Sequence, residues 1–260
     1  MHHRITQLIE QLSPQIQRPP IQGTLPLAIQ GRWAGFIWPA ALAELKGHPQ
    51  LQHHETYVEI NSASLSTSLN QIAQQLRESG CLPFWRDEQV HVWGEGQILA
   101  QIERTATRPL GLLTQAVHLN AWTPDERVFL ARRAPTKQTD PNMWDTLVGG
   151  LLNAHDTPEQ GLLRESYEEA GLNPEHIQER SPIRLITRMR GPLVEGYQVE
   201  DILASDCILD PTVVPNNIDG EVSEIAHFAV HEVLAMMDEG LITTEAMIVL
   251  LDSFRDKYCK

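Results

Sequence analysis

At 260 residues the chain holds one large domain or two modest ones, and a hydrophobic content of 42% lets it bury a sizeable core. A formal net charge of -14 argues against nonspecific nucleic-acid binding, which needs a basic face, and no apolar run approaches the ~20 residues that span a bilayer. Cys81, Cys207 and Cys259 stand far apart without disulfide or zinc spacing, and Met1 to Gln17 has no signal-like apolar run, so the expectation is a soluble cytoplasmic protein.

Ile5, Leu8, Ile9 and Leu12 recur at helical spacing and predict a short amphipathic helix, which Pro14, Pro19 and Pro20 interrupt. Leu25 to Ile29 reads as a strand. Leu65, Leu69, Ile72, Ala73 and Leu76 predict a second helix closed by Gly80. A hairpin is expected around Gly94-Glu95-Gly96, with Val90 to Trp93 before it and Gln97 to Ile102 after. Residues 1–111 therefore read as a small α+β unit, with Arg108-Pro109-Leu110-Gly111 as its boundary, although nothing there demands a flexible linker.

Residues 112–260 read as a second domain. Strands are expected at Gln115 to Trp122 and Arg127 to Arg132, joined by the turn Thr123-Pro124-Asp125-Glu126. A polar loop from Ala134 to Asn142 follows, then the diglycine Gly149-Gly150 and a strong helix from Pro158 to Ala170. Strands near Ile183 to Arg188 and Val199 to Ile208, and helices near Val230 to Asp238 and Thr243 to Asp256, complete the chain. This order suits an α/β sandwich with a mixed sheet.

The helix at 158–170 carries the chemistry. Thr157 caps its start with Gln160 available for a capping box, Pro158 suits the first helical position, and Gly171 suits the residue past the end. Leu162, Leu163, Tyr167 and Ala170 are expected on the buried side. Opposite them Glu165, Glu168 and Glu169, three and four apart, repel one another by about 0.2–0.5 kcal/mol per pair, at the end of the helix where the dipole disfavours them. A hard divalent cation such as Mg²⁺ or Mn²⁺ resolves that conflict. Arg164, four residues before Glu168, can orient it. The plain alternative is a solvated acidic face with one surface ion pair. The complete spacing from glycine through Arg-Glu to Glu-Glu and the final glycine favours a site.

That segment resembles the Nudix box: Gly150, Arg164, Glu165, Glu168, Glu169, Gly171 and Leu172 match it. Asp156 stands where the family usually has Glu, and Ser166 where an apolar or small residue is usual. The resemblance implies a Nudix α/β/α sandwich with a mixed sheet, preceded here by a small α+β N-terminal domain. It also implies metal binding by Glu165, Glu168, Glu169 and the Gly150 carbonyl, and hydrolysis of a phosphoanhydride bond. A further carboxylate usually comes from outside the box, and Glu221, in Asn217-Ile-Asp-Gly-Glu-Val222, is the candidate. Read alone, that tetrapeptide is only a turn before a strand. Glu168 is favoured as general base, with Glu221 as rival.

Val117-His-Leu-Asn120, Ala131-Arg-Arg-Ala134, Thr136-Lys-Gln-Thr139 and Trp144-Asp145 resemble a Nudix subfamily with an extra N-terminal domain, found also in a fungal thiamine pyrophosphokinase fusion. Leu82 to Arg86 and Ala100 to Arg104 fit its N-terminal part more loosely. The implied substrates are thiamine diphosphate analogues, oxidised forms preferred, cleaved to the monophosphate and inorganic phosphate. Arg133 and Lys137 suit the diphosphate, and Trp33, Trp85 or Trp144 a heteroaromatic ring. Isopentenyl diphosphate isomerase shares the Arg-x-x-x-Lys and Trp-Asp features but needs an active-site cysteine, and none lies near His118 to Trp122 or Met143 to Thr146. A noncatalytic module sensing a nucleotide or sugar diphosphate is the alternative from another class. For the N-terminal domain a substrate lid, a homodimer surface and a partner-binding module all remain open.

Overall fold

The computed structural model describes residues 1–82 and 84–259; Pro83, in the Leu82–Arg86 segment, lies outside the described residues. Helix α1 (His2–Leu12) forms on the expected spacing and buries Ile5, Leu8 and Leu12. A four-stranded sheet then orders as β2-β1-β4-β3, from β1 (Leu25–Ile29), β2 (Arg32–Ile37), β3 (Leu51–His53) and β4 (Val58–Ile60). Between β2 and β3 lies the short helix α2 (Pro39–Glu44). Helix α3 (Leu65–Glu78) brings Leu69, Ile72 and Leu76 into one core with Leu27, Ile29 and the hairpin residues Val92 and Ile102. That hairpin pairs β5 (Gln89–Gly94) with β6 (Gln97–Glu103). Glu95 and Gly96 at its tip have φ of 50° and 80°, the positive pair that a tight two-residue turn requires. The Arg108–Gly111 boundary is a turn of helix, α4 (Thr107–Leu110), closed by Gly111 with φ 57° and packed on β2.

The second sheet has seven strands. Its path runs β11-β12-β7-β8-β13, from β7 (Leu113–Trp122), β8 (Arg127–Arg133), β11 (Arg184–Leu193), β12 (Gly196–Ile208) and β13 (Val222–Ala229). Two short strands that the sequence did not suggest, β9 (Trp144–Thr146) and β10 (Val148–Leu151), pair with β8 and β7. Strands β7 and β12 run parallel along their shared length while the remaining pairs are antiparallel, so the sheet is mixed.

Helix α5 (Pro158–Ala170) packs through Leu162 and Ala170 on one face, against Val117, Leu119 and Leu203. The other face is covered by α6 (Val230–Asp238), α7 (Thr244–Tyr258) and α1, whose Ile5, Leu8 and Leu12 share a core with Val233, Leu250 and Phe254. The result is an α/β/α sandwich with a mixed sheet, preceded by an α+β region, and the first helix of the chain belongs to the sandwich core. Among the described residues no helix is long and apolar enough to cross a membrane.

Candidate active site

Helix α5 is terminated as its residues dictate: Thr157 Oγ1 accepts from the Gln160 amide at 3.2 Å, Gln160 reaches back to the Thr157 amide at 2.9 Å, and Gly171 adopts φ 62°. Its last carbonyls accept from the 216–219 loop, Ala170 from the Asn216 amide and Glu168 from those of Ile218 and Asp219. This tie brings the loop bearing Glu221 beside the helix.

The buried face of α5 differs from the apolar stripe expected. Tyr167 is 53% exposed, whereas Ser166 and Glu169 are buried beside Leu162 and Ala170. Glu169 is inward because its Oε2 accepts from the Gly149 amide at 2.9 Å, anchoring the helix to β10 through a carboxylate. The carboxylates therefore form no solvated acidic face: the side chains of Glu165 and Glu169 are 13% and 9% exposed, against 42% for Glu168. Burial raises the Glu165 carboxyl, with the Arg164 guanidinium opposing the shift. Burial also pushes the Glu169 carboxyl up to about 8, against the Gly149 amide and Lys137.

Arg164 joins the acidic groups. Its Nη1 donates to Glu165 Oε1 at 2.7 Å and Glu168 Oε2 at 3.1 Å, while Nε and Nη2 both donate to Asp156 Oδ2, at 3.0 and 2.9 Å. Asp156, in place of the usual Glu, thus reaches Arg164 and holds its guanidinium from behind.

The diglycine is a thin place in the wall. Successive strand residues face opposite sides of a sheet. A Cβ on Gly150 would land on the Glu165 carboxylate, and one on Gly149 would lie 2.9 Å from His118 Nδ1 on the other face. Both faces open onto one cavity of about 720 Å³. Glu165, Glu168, Glu169, Glu221, Arg133 and Lys137 all line it. Lys137 pairs with Glu221 and stands 3.8 Å from Glu169 Oε1, and burial lowers its pKa. Arg133 Nη1 lies 3.0 Å from Asp145 Oδ2, with Nε on the Thr139 carbonyl at 3.1 Å.

Trp144 is not part of this cavity. Strand alternation sends Asp145 inward and turns Trp144 away, its ring edge-on to Phe228 at 5.1 Å. Trp33 packs edge-on to Tyr57, and Trp85 donates to Asp87 under the Arg77 guanidinium; neither lines the cavity.

Residues 113–245, just over half the chain, match the NUDIX domain. The chain belongs to the Nudix family of hydrolases. Residues 6–114 match a second domain, of unknown function (DUF4743). The uncharacterized protein YJR142W of Saccharomyces cerevisiae is 26% identical over 190 residues, which is 65% of this chain and 54% of that protein. The uncharacterized Nudix hydrolase SCO1686 of Streptomyces coelicolor is 35% identical over 75 residues, 29% of this chain and 41% of its own. The chain thus spans about half the length of the curated relatives it matches. Among solved structures, DR0079 from Deinococcus radiodurans superposes with a TM-score of 0.45 at 22% identity, over 60% of this chain and 92% of the other.

The Nudix helix fits a divalent cation by the chemistry of its donors. The available groups are hard carboxylate oxygens, buried enough that their charge needs a counter-ion. Among the described residues no three His, Cys, Asp or Glu side chains converge on one point, because Arg164 and Lys137 are drawn in among the carboxylates. The space left by the missing side chain of Gly150 holds the Glu165 carboxylate against the strand.

Several cavity residues had no role assigned from the sequence: His118, Asp145, Arg104, Arg108, Glu200 and Glu245. The one signal they left is acidic residues inside strand or helix patterns, such as Glu200 in the otherwise strand-like run 196–208.

Proposed function

We propose that this Nudix chain hydrolyses a phosphoanhydride bond in a small organic diphosphate with a divalent cation as cofactor, and that thiamine diphosphate and its oxidised analogues are the substrates. The observation that carries the reading is the set of Glu165 against Gly150, Glu169 on the Gly149 amide and Glu168 on Arg164, which also bridges to Glu165, inside a cavity that also receives Lys137 and Arg133. Support for the thiamine compounds comes from the subfamily resemblance of residues 117–145 and from the size of the cavity. The division into an N-terminal unit over 1–111 and a Nudix unit over 112–260 belongs to the same proposal, with helix α1 crossing over to pack in the core of the sandwich.

In this reading the Gly150 carbonyl, Glu165, Glu168, Glu169 and Glu221 hold the cation. Bound there, Mg²⁺ or Mn²⁺ supplies Lewis-acid polarisation and charge neutralisation for the diphosphate. Lys137 exchanges Glu221 for a phosphate oxygen, and Arg133 offers its guanidinium beside it. Glu168 is more exposed than Glu165 and Glu169 and is bonded, among the side chains of the described residues, only to Arg164, and it takes the proton from the attacking water. Arg164, held by Asp156, keeps Glu165 and Glu168 in place.

The test is release of inorganic phosphate from thiamine diphosphate and its oxidised analogues, beside ADP-ribose, NADH, nucleoside triphosphates and sugar nucleotides, with Mg²⁺ and a Glu168→Gln control. Turnover confined to the thiamine compounds is the expected result. Turnover of another diphosphate keeps the chemistry and removes the substrate, and no turnover at all favours a noncatalytic diphosphate-binding module.

A further inference from the structure

On the face of the sheet opposite α5, the cavity continues past Gly149 to acceptors that the proposed hydrolysis does not use. His118 is 4% exposed and lines this end. Its Nδ1 lies 3.1 Å from Thr146 Oγ1, which in turn lies 2.8 Å from the Val148 carbonyl. A hydroxyl has one proton, and the carbonyl can only accept it. The hydrogen between His118 and Thr146 therefore sits on Nδ1, leaving Nε2 as a bare lone pair. That nitrogen is buried with no hydrogen-bond partner among the described residues, an unfavourable state that marks this end of the site as incompletely satisfied.

Two acids stand with it. Glu200, 6% exposed on β12, accepts from Thr114 Oγ1 at 2.8 Å and from Gln198 Nε2 at 3.3 Å. Glu245, in the first turn of α7, has Gln198 Nε2 at 3.5 Å as its one side-chain partner among the described residues. Burial raises both carboxyls, and the neighbouring Glu200 helps push Glu245 up to about 7. Arg104 and Arg108 reach the same cavity, yet each is already paired, Arg104 with Glu88 at 2.6 Å and Arg108 with Glu195. Beside Glu200 the space opens into a second cavity of about 310 Å³, walled by Leu82, Pro109, Leu112 and Tyr197. Leu82 and Pro109 belong to the N-terminal unit, and Leu112 follows it directly.

We propose that this end of the cavity is a second subsite for a cationic or amino-bearing nitrogen heterocycle, which donates to Glu200 and Glu245 while the apolar wall covers its ring. The inference rests on the diphosphatase reading and adds to it the residues that choose the organic group. Carboxylate acceptors lining the cavity favour a cation or an N–H donor and repel a ring that presents carbonyl oxygens in the same place. Because the wall is built largely from residues before Leu113, the N-terminal region acts here as part of the substrate site.

The test is calorimetric titration of the full chain in Mg²⁺ buffer with free thiamine, which has the rings and no phosphate, and with inorganic pyrophosphate, which has the phosphates and no ring. Wild type is compared with Glu245→Gln and Glu200→Gln; if the more buried Glu200→Gln melts early, Glu245→Gln carries the test alone. With the titration buffered above the value of about 7 to which Glu245 is raised, loss of its carboxylate should weaken thiamine about tenfold or more and leave pyrophosphate unchanged. No thiamine binding by wild type, equal binding by the variants, or a parallel fall for both ligands overturns the subsite. Phosphate release from thiamine diphosphate separates the two readings. Binding without turnover keeps the subsite and removes the diphosphatase, whereas turnover with an unchanged KM in Glu245→Gln removes the subsite alone.

Discussion

Adding one methyl group at Gly150 tests whether the carboxylate geometry matters. The φ of Gly150 is outside the left-handed region, so alanine is compatible with its backbone. Losing glycine's extra freedom in the unfolded chain contributes about 0.4–1 kcal/mol of stability at such a position. Against that, the new Cβ falls on the Glu165 carboxylate. That group is the far end of a flexible side chain, so it swings aside and the strand stays where it is. Gly150→Ala should therefore remain within about 1 kcal/mol of wild type, while displacing one member of the cluster lowers turnover by about 10²-fold, roughly 2.7 kcal/mol of barrier. The neighbouring substitution supplies the contrast. In Gly149→Ala the Cβ meets His118 at 2.9 and 3.1 Å, and a buried ring cannot swing away, so stability falls by about 1–3 kcal/mol. Denaturant midpoints and phosphate release measured on both proteins check the pair. A Gly150→Ala enzyme turning over within threefold of wild type would refute the placing of Glu165 at the reacting centre.

The remaining predictions concern charge. Glu168→Gln should fold normally and lose about 10²-fold in turnover, read by melting temperature and phosphate release. Asp156→Asn weakens the hold on Arg164 and should lower turnover about 10-fold or more, the scale for a group that orients a metal ligand. At a hundredfold excess over its Kd, Mg²⁺ or Mn²⁺ should stabilise the native state by about 2.7 kcal/mol and raise Tm by about 5–10 °C; no shift at millimolar metal would count against a site formed before substrate arrives. Burial, with Glu200 beside it, holds the Glu245 carboxyl at about 7 in the fold, against about 4.5 for a free glutamate. Between those values the folded chain keeps a proton that the unfolded chain has released, so this group lowers stability as pH rises through that window. Glu245→Gln should flatten that slope in urea midpoints taken from pH 4.5 to 7.5, and an unchanged slope would show that Glu245 is not the group responsible.

Local pattern was enough for the elements whose cause is local. The capping box at Thr157 and Gln160, the helix from Pro158 to Ala170, the turn at Glu95-Gly96 and the amphipathic α1 all rest on residues within a few positions of one another. The Nudix spacing of Gly150, Arg164, Glu165, Glu168 and Glu169 was legible for the same reason: it lies on one strand and one helix. Burial was not legible there. Tyr167 looked like core and Glu169 like surface, because apolar spacing says nothing of a carboxylate that caps a strand amide twenty residues away. The same limit applied to Trp144, whose direction depends on the side of β9 that faces the cavity, and on a strand too short to show alternation. Glu200, Glu245, His118 and Arg108 lie far apart in the chain and meet only when β7, β12, α4 and α7 assemble around one cavity. Their shared role comes from lining one cavity, and only the tertiary packing of the chain creates it.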